Sequence, residues 1–217
     1  MDNAVAIVQA YLRLNGYFTV TEFPIIESMR DGGHRVATDL DVLAFRFPGA
    51  ARVIPKPGRS GEHGRALGGP DPALGLQGDE ADMIVAEVKE GRAELNRGAR
   101  DPAVLRAVLT RFGCCEADEA ASLVERLIRH GATDTRHGHR VRLMAFGSSA
   151  DSVSKGYHTV RLDQVASYVT GYLRRHWSVL HHAEFKDPAL GLLAMLMKAG
   201  VRWTTDIHGQ GMSSRDT

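Results

Sequence analysis

The chain has little sulfur chemistry to offer. Its two cysteines, Cys114 and Cys115, are adjacent. Neighbouring cysteines rarely bridge, and no second pair exists, so a disulfide-stapled secreted scaffold is excluded and reduced thiols in a cytoplasmic protein are expected. No apolar run approaches the ~18 residues of a membrane span. Met1-Asp2-Asn3-Ala4 lacks the basic start and apolar stretch of a signal peptide. Charge of one sign is also missing: 27 basic and 26 acidic residues give a net +1. A polycation that coats nucleic acid is thereby excluded, and any such contact needs a local basic patch. No internal repeat is present. What remains, 217 residues with 43% apolar and 24% charged content, is an ordinary globular composition with enough chain for a substantial core.

Helical spacing of Val5, Val8 and Leu12 predicts a helix over 3–15, closed by Gly16. Tyr17 to Glu27 is rich in β-branched and aromatic residues and reads as a strand, which Pro24 restricts to an edge or a bend. A turn at Asp31-Gly32-Gly33 leads to a second strand from about Arg35 to Phe47. Residues 48–80 hold eight glycines and five prolines. Such a stretch buries little surface and is expected to be a long flexible insertion. A third strand follows from Asp82 to Glu90. Asp101-Pro102 is an N-cap and first-turn signal for a helix ended by Gly113. Glu116 to His130 reads as another helix, Arg140 to Gly147 as a fourth strand and Tyr157 to Val160 as a short fifth. Leu162 to about His182 reads as one long helix. Asp187-Pro188 opens a last helix before Gly200, and the polar tail from Thr204 is expected to fray. This order predicts an α/β fold with a central mixed sheet flanked by helices. It divides into a core over 1–150 and a C-terminal helical extension over 151–217, packed on the core.

Chemistry concentrates at Ile84-Val85-Ala86-Glu87-Val88-Lys89. An apolar strand here ends in an acid and a base on one face, since strand side chains alternate. Asp39 and Asp41, on the preceding strand, add carboxylates. A divalent cation such as Mg²⁺ or Mn²⁺ takes hard oxygen ligands and keeps several waters. Asp41, Glu87 and the backbone carbonyl of Val88 are the candidate ligands, and Asp39, about 7 Å along the strand, is an outer one. Lys89 is placed to orient or deprotonate a water and to offset negative charge. A bare Glu-x-Lys is most often a surface ion pair; the Asp-bearing neighbour and the apolar run leading into it point to a site.

These elements resemble the PD-(D/E)XK nuclease superfamily, with its restriction-endonuclease-like fold. That core is a helix, three antiparallel strands, a helix and a further strand, with an Asp on the second strand and (Asp/Glu)-x-Lys on the third. Asp41 in Thr38-Asp39-Leu40-Asp41-Val42 and Glu87-Val88-Lys89 match it, over roughly residues 3–147. No proline precedes Asp39 or Asp41. Where many members carry an acid on the first helix, this chain has Gln9; Glu27, after the first strand, is a possible substitute. The resemblance implies a metal-dependent nuclease acting on nucleic acid, DNA in the first place, with Asp41, Glu87 and Lys89 catalytic. It also implies a possible homodimer, for which the C-terminal helices offer apolar surface. The alternative is a non-catalytic nucleic-acid or protein interaction module on the same fold.

Other motifs are weaker. Arg92, Arg97 and Arg100, with Arg106 and Arg111, suit either a phosphate-backbone groove or a solvated face. His176, His181 and His182 near Glu184 match no H-E-x-x-H spacing and read as a solvated helix end. His137-Gly138-His139 reads as loop surface. Cys114-Cys115 reads as small buried residues rather than a redox pair.

Overall fold

The computed structural model describes residues 2–29, 32–50, 69–76, 80–150 and 156–203. Helix α1 (Asn3–Leu14) is capped by the Asp2 side chain on the Ala4 amide. It leads through Gly16, in the left-handed region at φ 88°, into β1 (Tyr17–Ser28) and β2 (His34–Arg46). Strand β3 (Ala81–Val88) completes an antiparallel meander. Helices α2 (Pro102–Arg111) and α3 (Ala120–His130) follow, then β4 (Ala132–Asp134), β5 (His139–Gly147) and β6 (His158–Arg161). The chain continues through α4 (Leu162–Arg175), the single turn α5 (Trp177–Leu180) and α6 (Pro188–Lys198).

The sheet order is β1-β2-β3-β5-β4, with β6 pairing the other end of β5. Strands β3 and β5 are parallel, so the sheet is mixed, as expected. Its central strands carry apolar residues on both faces because both are covered. On one face, Val42, Ala44, Ile84, Ala86, Met144 and Phe146 pack with α1, α4 and α6. On the other, Leu43, Met83, Val85, Val141 and Leu143 pack with α2 and α3. Edge strand β1 tolerates Pro24, because half of an edge strand's amides have no ladder partner to lose.

Some boundaries differ from the sequence reading. Strand β4 is three residues long, too short for a periodic signal. Glu116 to Glu119 form a turn, and α3 begins at Ala120. The helix expected over 162–182 breaks at His176, whose φ of −108° ends α4. Within the stretch read as an extension packed on the core, the expected short strand is β6, and Val160, Val165, Val169, Leu173 and Leu190 join the first core face. Among the described residues no helix is long and apolar enough to cross a membrane. Residues 51–68 and 77–79 of the expected insertion, Asp31 of the turn and the tail from 204 lie outside the described residues.

Part of the 48–80 stretch does bury surface, against expectation. Pro72–Leu74 form a 3₁₀ turn capped by Asp71, and Leu74 is fully buried. A polar network anchors it. Tyr11 Oη donates to Asp71 Oδ2 at 2.9 Å, the Asp71 amide donates to Asn15 Oδ1 at 2.7 Å, and Gln164 Nε2 donates to Asp71 Oδ2 at 3.0 Å. Arg142 Nη1 donates to the Leu74 carbonyl at 2.6 Å. These bonds fix where the chain re-enters the sheet as β3 and hence where β3 ends.

Candidate active site

The β2–β3 ladder runs from Arg46 opposite Asp82 to Val42 opposite Ala86. One step further sets Asp41 opposite Glu87, where β3 leaves the ladder. Asp41 Oδ2 accepts from the Val88 amide at 2.8 Å, so this carboxylate takes up a main-chain donor at the strand end. Lys89, the first residue beyond β3, is held by its own amide on the Phe146 carbonyl at 2.9 Å. Its Nζ lies 2.9 Å from Glu87 Oε2 and 3.4 Å from Asp41 Oδ2. Asp41, Glu87 and Lys89 therefore come together.

Local irregularity shapes this corner. Leu40 and Leu43, three residues apart, pack in the same core cluster, so strict alternation fails between them. On β1 the ladder pairs Thr21 with Val42 and Phe23 with Leu40. Between them Glu22 adopts φ 52°, the one positive-φ residue other than glycine among the described residues. Strain of this kind at a non-glycine residue clusters at functional sites. With alternation lost between Leu40 and Leu43, Asp39 and Asp41 need not share a face. Asp39 is exposed, opposite Pro24. Glu27 pairs across the strands with Arg35, further along β1, and does not join the site. Arg92, Arg97 and Arg100 are exposed between β3 and α2, Arg100 within the 3₁₀ turn Gly98–Arg100, and none lies on an α-helix.

Glu87 is 0% exposed. Burial, the largest effect, raises its carboxyl to about 7; the Lys89 hydrogen bond opposes this and the Asp41 charge adds to it. Burial pulls the Lys89 ammonium down, but the Glu87 and Asp41 carboxylates outweigh it, and its pKa is raised. In the metal-free site Lys89 is therefore held as a protonated donor and positive charge. The group that titrates near neutrality is Glu87.

Glu87 Oε1 is buried with no hydrogen-bond partner, whereas Oε2 has two. Buried carboxylate oxygens are rarely left so, because the desolvation goes uncompensated. A proton shared with Asp41, whose side chain lies within hydrogen-bonding reach, would meet that need, as would a hard cation. Among the described residues no group of three or more His, Cys, Asp or Glu gathers for a metal. Two carboxylates would leave Mg²⁺ much of its water shell.

The sequence reading missed Asn96. Its Nδ2 donates to Glu87 Oε2 at 2.7 Å and its Oδ1 accepts from the Ala99 amide at 2.7 Å. An Asn two residues before Gly98 signals a turn, but nothing in the pattern points from it to Glu87. The loop is pressed onto β2 at Gly98, where a Cβ would fall 2.5 Å from Thr38 Oγ1 and 2.6 Å from Thr38 Cβ. Gly98→Ala is therefore expected to push the loop off β2, at a cost of about 1–3 kcal/mol, read as a lower thermal midpoint.

A second expectation follows from Glu87. Its folded pKa of about 7 lies above the ordinary 4.5, so the folded protein holds a proton that the unfolded chain has released. That contribution to stability is complete below about pH 4.5 and is lost as pH rises through about 7. Glu87→Gln cannot lose a proton. Without metal, the wild-type thermal midpoint is expected to fall relative to Glu87→Gln between about pH 4 and about pH 8.

The remaining candidates are structural. Cys114 and Cys115 are buried and free, and burial pushes the Cys114 thiol up to about 12, which keeps it an unreactive thiol. His181 Nδ1 lies 2.7 Å from the Trp177 carbonyl. His139 is buried against Thr135 rather than on loop surface. No family model, no curated protein and no solved structure matches this chain.

Proposed function

We propose that the protein is a metal-dependent nuclease that hydrolyses phosphodiester bonds, with DNA as its substrate, on a restriction-endonuclease-like fold. The observation that carries the reading is Glu87: fully buried, with one oxygen unpartnered, beside Asp41 and Lys89. The order of helix, three antiparallel strands, helices and a parallel strand beside β3 supports the fold.

Asp41, Glu87 and the Val88 carbonyl would hold Mg²⁺ or Mn²⁺. Such an ion polarises a phosphoryl oxygen and acidifies water. Lys89 Nζ, fixed between two carboxylates, donates a hydrogen bond to the attacking water or to a phosphoryl oxygen and balances charge as it develops. Burial of Glu87 keeps bulk water from the side of the site that faces α2 and α3. Exposed Arg97 and Arg100 on the adjoining loop supply positive charge for the phosphate backbone.

Purified protein incubated with plasmid, single-stranded DNA and RNA should cleave DNA with Mg²⁺ or Mn²⁺ and not with EDTA. Failure to cleave any of the three with either metal would sink the reading. A second reading, an interaction module without catalysis, is favoured by a separate apolar pocket of about 390 Å³, lined by Phe18, Phe45, Phe47 and Phe112. For that module, calorimetry should register no Mg²⁺ affinity.

A further inference from the structure

We infer that Asn96 is a positioning residue for the site: it locks the Glu87 carboxylate in the rotation that leaves Oε1 free for a divalent cation. The inference rests on the reading of Asp41 and Glu87 as cation ligands. A glutamate carboxylate turns readily about its last torsion, so which oxygen is offered to an ion has to be decided by its neighbours. Lys89 alone is a poor lock. Its chain is long, its side chain is 38% exposed, and its Nζ is shared with Asp41.

Asn96 is anchored at both ends. Its Oδ1 accepts from the Ala99 main chain at 2.7 Å, and Ala99 is fully buried in the core that α2 and α3 cover. Because that amide is a donor, the Asn96 oxygen must face it, and the NH₂ group must face Glu87. Nδ2 then saturates Oε2 from one side at 2.7 Å while Lys89 does so from another at 2.9 Å. Oε1 is left without a partner. Gly98, flush against Thr38, holds the loop that carries this bracket. Two functions are separable here: Oδ1 anchors the loop, and Nδ2 orients Glu87.

Two variants separate them. Asn96→Ala removes both. Asn96→Ser keeps an oxygen that can accept from the Ala99 amide, as Ser replaces Asn at caps, but is too short to donate to Glu87. Mg²⁺ and Mn²⁺ affinities are measured by calorimetry, thermal midpoints without metal, and exchange of the Asn96 side-chain amide protons by NMR in metal-free protein. Both variants are expected to bind metal roughly 10- to 100-fold more weakly than wild type, as supporting partners of ligands do, while Asn96→Ser, which keeps the loop anchor, melts closer to wild type than Asn96→Ala does. The Asn96 amide protons should exchange slowly in wild type and at the rate of a free amide in Glu87→Ala. Wild-type affinity in Asn96→Ser would overturn the inference and leave Asn96 as a loop anchor only. Unprotected Asn96 amide protons in wild type would overturn it whatever the metal does. A wild-type protein that binds neither metal, yet protects those protons, would overturn the metal reading and keep the Asn96–Glu87 lock.

Discussion

Lys89→Ala is expected to reduce Mg²⁺-dependent DNA cleavage by about 10²- to 10³-fold, the range for loss of one positioned donor aimed at developing negative charge. The ammonium is 2.9 Å from Glu87 and 3.4 Å from Asp41. Its removal leaves a buried carboxylate beside a half-buried one with no fixed cation between them. Cleavage should fall through turnover more than through substrate affinity, because the group's charge matters most where negative charge builds on the phosphoryl oxygens. Metal affinity need not fall with it. Two carboxylates freed of an ammonium compete less for charge, so Mg²⁺ binding measured by calorimetry should hold or tighten. That opposition, slower cleavage without weaker metal binding, distinguishes Lys89 from Glu87 and Asp41, whose alanine variants should lose both. Undiminished cleavage in Lys89→Ala and Glu87→Ala would show that the activity resides elsewhere.

The second large effect is on stability, at the opposite end of β3. Arg142 and Asp82 are both buried. Arg142 Nε and Nη2 donate to the two oxygens of Asp82 at 2.7 and 2.8 Å, and Tyr17 Oη donates to Asp82 Oδ2 at 2.6 Å. Burial pulls the guanidinium down, yet its bonds to Asp82 outweigh this and hold it charged. Arg142→Ala strands the Asp82 charge in the core and removes the donor that pins Leu74. Breaking a buried pair in this way costs about 3–5 kcal/mol. For a chain of this size that lowers the thermal midpoint by roughly 6–20 °C. Replacing both members with apolar residues, Asp82→Leu with Arg142→Met, should cost less than Arg142→Ala alone, because no unpaired charge remains. A fall of under about 2 °C in Arg142→Ala would mean that the pair is hydrated and that the network does not hold the 69–76 segment.

Much of the architecture was legible because its signals are local. Gly16, Gly113, Gly131 and Gly200 all take positive φ where helices were expected to close. Asp101 and Asp187 cap the helices that their Asp-Pro pairs announce. Strands β1, β2, β3 and β5 lie within a residue or two of their expected limits. What failed was non-local. Strand β4 exists because β5 supplies its hydrogen bonds, and its three residues have no period of their own. The glycine- and proline-rich stretch was expected to bury little, yet Asp71 and Leu74 are buried because Tyr11, Asn15 and Arg142, far away in sequence, supply their partners.

The site divides in the same way. Alternation along a single strand was enough to put Glu87 and Lys89 together, and an acid-bearing neighbour strand suggested Asp41. Sequence by itself determined which residue types stand at the end of β3. Only tertiary structure decided their chemical states: burial raises Glu87 toward neutrality, and two carboxylates hold Lys89 protonated. It also decided that Asn96 belongs to the site, since a loop returning over the sheet brings it to Glu87. Side-chain identity is encoded residue by residue, but protonation and orientation depend on what surrounds a group, and those surroundings come from distant parts of the chain.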